Sequence, residues 1–457
     1  MTEHTFDVVV LGGGSGGYAA ALRAAELGRS VAIVEKDKVG GTCHHRGCIP
    51  TKALLHAAEV AEVTRDAALI GIRASFDGID LAGVRTYREG IVAKKYKGLE
   101  GLVKARRIKV VKGEGRLESG PSVRVGDDVY RGTDVILATG SYSRTLPGLD
   151  IGGRIIASDQ ALELDEIPQR VIVLGGGVIG VEFASVWKSF GVDVTIVEAL
   201  DHLVPNEDIA LSKALERAFR RRGIAYSLGV RFQSATQTSD AVTVTLEDGK
   251  SLEADYLLVA VGRGPASAGL GYEEAGVAID RGFVTVDDRL RTGADHVWAV
   301  GDIVFGLQLA HRGFAQGIFV AEEIAGMKPV LIPDAHIPRV TYCSPEVASV
   351  GLTEAQAASA HGSDGIVAYE YNLAGNGKSE ILGTSGIVKV VRAKDGPVLG
   401  VHMVGDRVGE LISEGQLAVG WEAHPDDVAP LIHAHPTQTE ALGEAFLALA
   451  GKPLHAL

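Results

Sequence analysis

Two cysteines five positions apart, Cys43 and Cys48, are the residues of this chain best suited to electron transfer. They stand in Gly40-Gly41-Thr42-Cys43-His44-His45-Arg46-Gly47-Cys48-Ile49-Pro50-Thr51-Lys52. A disulfide needs its Cα atoms about 4.4–6.8 Å apart, whereas five residues of regular helix rise about 7.5 Å. A bond therefore requires an irregular turn, and Gly47 is placed to supply one. Pro50 suits an early helix position and puts Cys48 at the helix start, where the positive helix end favours a thiolate. Two other readings stay open at this point. One is zinc, for which CxxxxC without a second ligand pair is poor spacing. The other is a pair of unrelated buried thiols. Cys343, in Tyr342-Cys343-Ser344-Pro345, has no cysteine nearby in sequence and reads as a buried thiol.

A second constellation lies near the C-terminus, in His433-Ala434-His435-Pro436-Thr437-Gln438-Thr439-Glu440. The residue before a proline is held extended, so Pro436 keeps His435 out of the following helix. An imidazole fixed at a helix entrance with an acid close by suits proton transfer better than His433 or His44. The plainer role for Glu440 is structural, because Thr437-x-x-Glu440 is a capping-box sequence. The helix it starts carries Leu442, Phe446 and Leu449 on one face, and that apolar face predicts a partner surface.

The elements that must hold these residues are repeated. Phe6 to Leu11 is a short apolar run with strand character. It is followed by Gly12-Gly13-Gly14-Ser15-Gly16-Gly17, an Ala-rich helical stretch to Leu27, Gly28, a strand over Val31 to Val34, and Glu35. The same pattern returns from Val171. Gly12, Gly14, Gly17, Gly28 and Glu35 recur at a constant offset of 163 as Gly175, Gly177, Gly180, Gly191 and Glu198. A lone GxGxxG is a weak signal. Two, each after a strand, each opening a helix and each with an acid about 20 residues on, predict two dinucleotide sites. In such a turn the first glycine allows the bend and the second lets backbone approach a pyrophosphate. The third lets helix pack on strand, and the helix N-terminus faces the phosphate charge. Both units close alike, through Val135 to Gly140 and Leu257 to Gly262, and a further buried strand ends in Gly301-Asp302. Two such sites beside a cysteine pair imply two cofactors, one fixed and one exchanged.

The whole chain agrees with this. Its 457 residues are enough for three or four domains, and 46% hydrophobic with 23% charged residues is ordinary globular composition. No apolar run reaches membrane-span length. The start of the chain lacks a basic and an apolar export region, so we expect no export signal. A net charge of −13 speaks against nucleic acid or an anionic membrane as the main partner. Three cysteines are too few for a secreted disulfide scaffold, so a disulfide here is expected to be catalytic, in a reducing cytoplasm.

At these motifs the chain resembles the pyridine nucleotide–disulfide oxidoreductases. The carriers are GGTCHHRGCIPTKALL at 40–55, GGGVIGVEFAS at 175–185, VWAVGDI at 297–303, LAH at 309–311 and HAHPTQTEA at 433–441. The resemblance spans essentially the whole chain. It implies an α/β fold with two Rossmann-like domains, for FAD and NAD, and an α+β C-terminal dimerisation domain. The implied boundaries are an FAD domain over 1–146, an NAD domain over 147–265, a central region completing the FAD site over 266–334, and a dimer-interface domain over 335–457. Carried over, Gly12, Gly14, Gly17, Glu35, Lys36, Gly41, Thr42, Lys52, Gly115, Thr139, Gly140, Asp302 and Ala310 would form the FAD site. Glu35 would bind the adenosine ribose. Gly175, Gly177, Gly180, Glu198, Val230 and Gly262 would bind NAD. Cys43 would exchange with the substrate sulfur and Cys48 with the flavin. Lys52 and Glu182 would pair beside the flavin's reactive edge, His435 would be the acid–base group, and Glu440 would orient it.

The activity so implied is oxidation of protein-bound dihydrolipoyl groups with reduction of NAD to NADH, by a homodimer. Its partners would be the lipoyl-bearing acyltransferase subunits of 2-oxo acid dehydrogenase complexes. No metal is expected. Alternatives are an NAD(P)H-dependent reductase of a low-molecular-weight disulfide such as glutathione, and a non-catalytic anchoring subunit. One departure stands out. His44-His45-Arg46 lies where many members carry an apolar–Asn–apolar run, which bears on the thiol pKa values. The tail Pro453-Leu454-His455-Ala456-Leu457 holds no cysteine pair, which speaks against mercuric reductases and the large thioredoxin reductases.

Overall fold

The structure is a computed structural model and describes residues 2–455; Ala456 and Leu457, the end of the tail, lie outside the described residues. The chain folds as two compact units. One comprises residues 2–54, 82–144 and 263–334, the other 55–81, 145–262 and 335–455.

In the first unit the apolar run near the N-terminus forms the strand Glu3–Leu11. Val8, Val9 and Val10 are fully buried, as a strand covered on both faces requires. It pairs in parallel with Val31–Glu35 on one side and Asp128–Leu137 on the other. Lys109–Lys112 extends the sheet beyond Val31–Glu35 as its edge, and Val297–Ala299 adds in parallel to Asp128–Leu137. The strands Gly115–Glu118 and Ser122–Val125 complete the sheet in antiparallel fashion. The helices Ser15–Glu26 and Ala310–Ile324 belong to the same unit and pack on each other. The segment 263–334 thus folds with the N-terminal residues rather than beside them.

The second unit repeats the arrangement. Arg170–Leu174 sits between Asp193–Val197 and Tyr256–Val259, all parallel, with Ala225–Ser227 and Ile155–Ile156 at the two edges. A three-stranded antiparallel sheet lies over 232–254. Residues 335–455 add a five-stranded antiparallel sheet, in the order Arg339–Thr341, Glu346–Gly351, Val398–Gly405, Ile387–Ala393, Ile366–Asn372.

The apolar face of the Thr439–Leu449 helix corrects one expectation. Leu442 and Phe446 are buried within their own chain, in a core with Val388, Val390 and Tyr371, and Leu449 packs against it. The face that predicted a partner surface is used internally, because the sheet beneath it needs cover. The same unit holds a buried ion pair, with Lys389 Nζ 2.8 Å from Asp208. Burial alone would raise the Asp208 carboxyl. Instead the Lys389 ammonium and the N–H groups of Glu354 and Ala210 hold it below its ordinary range. Among the described residues no helix is long and apolar enough to cross a membrane.

Candidate active site

The two glycine turns have the same geometry. Gly12 has φ +104°, and a Cβ there would meet the Ala138 carbonyl oxygen at 2.3 Å. Gly175 has φ +111° and would meet the Ala260 oxygen at 2.4 Å. A Cβ on Gly17 would stand 1.9 Å from the Gly12 oxygen, and one on Gly180 would stand 1.9 Å from the Gly175 oxygen. Each helix therefore touches the turn that feeds it. Gly14 and Gly177 cap the two helices with extended backbone, no side-chain cap and no acid in the first turn. Nothing lies within 4 Å of a Cβ built on either. Free N–H groups facing open space form a cradle for a pyrophosphate, so both turns fit a dinucleotide.

The acids after each second strand are held alike. Glu35 accepts from the N–H groups of Gly13 (2.7 Å) and Asp37 (2.8 Å). Glu198 accepts from Gly176 (2.6 Å) and Leu200 (2.8 Å). Each carboxylate is thereby bonded to its own glycine turn, where a ribose attached to the pyrophosphate would lie. The other predicted dinucleotide residues occupy varied positions. Gly41 approaches the first turn so closely that its Cβ would lie 2.7 Å from Gly14 Cα. Thr42 follows it in the Gly41–His45 helix. Thr139 donates to the Ala266 carbonyl at 2.7 Å, and Gly140 has φ +77°. Asp302 accepts from Ser141 Oγ, and Ala310 begins its helix. Gly115 is buried against Leu11, Val34 and Val123, whereas Lys36 is exposed beside Glu114. Val230 packs on the core of the second sheet, and Gly262 has φ +106°.

The cysteines sit on two successive helices, not one. Gly41–His45 carries Cys43 and ends at Arg46, and Cys48 is the first residue of Cys48–Asp66. The break falls at Gly47, whose Cβ would lie 3.0 Å from the Thr42 oxygen and 3.4 Å from Cys43 Cα. This brings the two thiols together. The hydrogen bond to Cys48, then burial, then the Cys48 charge push the Cys43 thiol far above its ordinary range, while Lys52 pulls it down. Lys52 stands one helical turn after Cys48. Tyr18, which sequence reasoning missed, lies close by. Burial, then the charges of Cys43 and Cys48, raise its phenol to about 12.

His435 and Glu440 meet directly. His435 Nδ1 lies 2.8 Å from one Glu440 oxygen, and the other oxygen accepts from the Thr437 N–H at 2.8 Å. Only half of the expected capping box forms. The Thr437 hydroxyl donates to the Ala434 carbonyl at 2.6 Å instead, and the helix begins at Thr439. Burial would raise the Glu440 carboxyl, but the Thr437 N–H and His435 hold it below its ordinary value. A carboxylate only accepts, so Nδ1 carries the hydrogen and the Nε2 lone pair is free to take a proton. The His435 side chain is 79% exposed, so that nitrogen faces outward. Glu182 is buried and accepts from the Tyr342 N–H at 2.9 Å. Cys343 is buried, as expected.

The family description "Pyridine nucleotide-disulphide oxidoreductase" fits residues 6–317, and that family's dimerisation domain fits 337–446. The chain belongs to the pyridine nucleotide-disulphide oxidoreductase family. It is therefore an oxidoreductase with FAD and NAD as cofactors, and its dimerisation domain supports a homodimer. It is 40% identical to a dihydrolipoyl dehydrogenase of Bacillus subtilis, over 98% of this chain and 99% of that protein. It is 41% identical to one of Mycobacterium tuberculosis, over 98% of each. The solved structure of LpdA from Mycobacterium tuberculosis superposes with a TM-score of 0.89 at 28% identity, over 98% of this chain and all of that one.

Three features had no local sequence signal. Ser141 donates to Asp302 at 2.5 Å and accepts from Arg263 at 2.8 Å, across 161 and 122 residues. Thr139 Oγ1 lies 2.9 Å from the hydroxyl of buried Tyr272. The third is the packing around Tyr96, whose ring lies 5.0 Å from that of His45 and 6.4 Å from that of His44. His45 Nε2 donates to the Val39 carbonyl at 2.9 Å. Burial, His45 and Lys95 hold the His44 imidazole below its ordinary value, against a bond to Val92.

Proposed function

We propose that the protein is a dihydrolipoyl dehydrogenase that oxidises protein-bound dihydrolipoyl groups and reduces NAD to NADH. The observation that carries this reading is the thiol pair across the Gly47 break, in the same unit as the first pyrophosphate cradle. Relatives of that name about 40% identical over nearly the full length support it. We assign it to 2-oxo acid dehydrogenase complexes in the cytoplasm, with lipoyl-bearing acyltransferase subunits as partners. The domain division proposed is FAD over 1–146, NAD over 147–265, central over 266–334 and interface over 335–457.

The central predicted residues have distinct tasks in this reading. The Gly12–Gly17 turn and Glu35 hold FAD, and the Gly175–Gly180 turn and Glu198 hold NAD. In the oxidised enzyme Cys43 and Cys48 form a disulfide. His435 Nε2 takes a proton from the first substrate thiol, while Glu440 stabilises the imidazolium through Nδ1–H. The substrate thiolate attacks Cys43 Sγ and Cys48 leaves as a thiolate. The second substrate thiol then loses its proton and displaces Cys43, giving the cyclic disulfide product and a reduced pair. Lys52 and the positive end of the Cys48–Asp66 helix stabilise the thiolate that forms. FAD held by the Gly12–Gly17 turn and Glu35 would supply a two-electron relay between the pair and NAD. One proton is released for each NADH formed.

The test is a pair of assays on the flavin-bound protein: NAD reduction with dihydrolipoamide, and NADPH oxidation with glutathione disulfide. Turnover in the first and not the second is expected. The reverse result would replace this reading with that of a low-molecular-weight disulfide reductase.

A further inference from the structure

The stretch from 85 to 112 carries ten Lys and Arg against two acids, a net charge of +8 in a chain of net charge −13. The remaining residues therefore carry −21. Both acids in the stretch are engaged. Glu89 lies 3.6 Å from buried Arg88, and Glu100 accepts from the Tyr96 hydroxyl. Most of the stretch is the helix Leu81–Ala105, which buries Leu99 and Val103. Lys94, Lys97 and Lys104 are exposed and lie on the opposite side of that helix, within about one third of a turn of each other. Arg107 and Lys109 continue the charge, and none of these five has a carboxylate partner among the described residues. Lysines on the edge strand Lys109–Lys112 have a plain explanation, since charge there blocks edge-to-edge pairing. The helix lysines have none.

The position of this helix gives its charge a use. Tyr96, between Lys95 and Lys97, packs on His44 and His45, the two residues that follow Cys43. Lys38 lies 6.0 Å over the same ring. The helix therefore neighbours the redox segment through Tyr96, on its Leu99–Val103 side, and turns its lysine face outward beside that segment. We propose that the face formed by Lys94, Lys97 and Lys104, continued by Arg107 and Lys109, docks an acidic protein domain that brings the substrate dithiol to Cys43 and Cys48. The inference rests on the dithiol-oxidising reading above. The acidic remainder of the chain repels such a partner, so the field steers it to this face. A small free dithiol carries no charge and gains nothing from it.

The test uses the full-length flavin-bound protein and three synthetic peptides with a dihydrolipoyl-lysine flanked by Glu-rich, Lys-rich or Ser-rich sequence. Each kcat/KM is divided by that for free dihydrolipoamide with the same protein. At low ionic strength the Glu-rich peptide should exceed the Lys-rich one by about tenfold or more, and the ratio should approach one in about 0.5 M salt. The triple variant Lys94→Glu, Lys97→Glu, Lys104→Glu should reverse the preference. The corresponding Gln variant, which removes charge without adding repulsion, should bring it near one. A wild-type ratio of one at low salt overturns the proposal, as does a preference that both variants keep. If free dihydrolipoamide is not oxidised at all, the functional reading fails on its own. Fluorescence anisotropy of the unlipoylated peptides then tests the face, and equal binding of all three overturns it. Tighter binding of a single-stranded RNA than of a Glu-rich peptide of equal charge would assign the face to nucleic acid and overturn it as well.

Discussion

At His435 the neighbours set which ring nitrogen is open to a proton. Glu440 bonds Nδ1–H with one oxygen and the Thr437 N–H with the other, so a single carboxylate fixes both the ring and the helix entrance. Removing a general base typically lowers the rate about 10²–10⁴-fold. His435→Ala should show that loss in kcat with dihydrolipoamide while remaining folded and yellow. Glu440→Gln should be intermediate, because an amide has one acceptor oxygen for two donors. A melt and a steady-state assay check both. Full activity of His435→Ala would remove this residue from the mechanism.

At the scale of elements, the contact between each glycine turn and its helix is the decisive packing. A Cβ at Gly180 would lie 1.9 Å from a backbone oxygen, and neither backbone has room to yield. Gly180→Ala should weaken NADH binding at least about tenfold, the equivalent of about 1.4 kcal/mol, while flavin absorbance is retained. Equilibrium dialysis measures this. Glu198 is expected to make the same turn selective. A carboxylate beside a 2′-phosphate is repulsive, and like-charge contacts can cost several kcal/mol. We expect kcat/KM for NAD to exceed that for NADP at least about a hundredfold; equal values would remove Glu198 from the ribose site.

Glu346 belongs to this scale too, where its strand meets the start of the Val408–Gly420 helix. Burial raises its carboxyl to about 7, against the bond from the Gly409 N–H, with Asp406, Glu410 and Glu59 adding to the rise. A raised carboxyl favours the protonated form in the fold. Its contribution is therefore fully present below the ordinary carboxylate range and lost as pH rises through about 7. Glu346→Gln keeps an acceptor for Gly409 and is never charged. Its melting temperature should match the wild type near pH 4.5 and exceed it by a few degrees at pH 8, for about 1–3 kcal/mol. An equal difference at both pH values would show that the carboxyl is not the cause.

The whole molecule raises the question of which chain supplies His435. Its side chain points outward, and the dimerisation domain fits the residues that carry it. In the proposed homodimer we expect the His435–Glu440 pair of one chain to serve the cysteines of the other. Co-expressed Cys43→Ser and His435→Ala chains, each nearly inactive alone, should give a mixed dimer with one intact site. About half the wild-type activity should return. A mixed dimer that holds flavin at both sites and stays inactive would place His435 in its own chain's site.

The sequence by itself determined the two dinucleotide turns, their acids, the break between the cysteines and the proline-set entrance of His435. These depend on spacing within about 20–30 residues, where a glycine or proline fixes backbone geometry locally. Tertiary structure decided the rest. The Thr437 hydroxyl donates to the Ala434 carbonyl instead of accepting from the Glu440 N–H, as a full capping box requires. The Leu442–Phe446 face was legible as apolar, but only the sheet over 366–404 showed that its cover is internal. Tyr18, Ser141, Arg263 and the Asp208–Lys389 pair joined their partners through the chain's path. The density of lysines on the Leu81–Ala105 helix was written in the sequence, but its place beside the redox segment depended on Tyr96 packing against His45. Contacts across a hundred residues leave no periodicity to read, because they are set by how strands stack and not by how one segment turns.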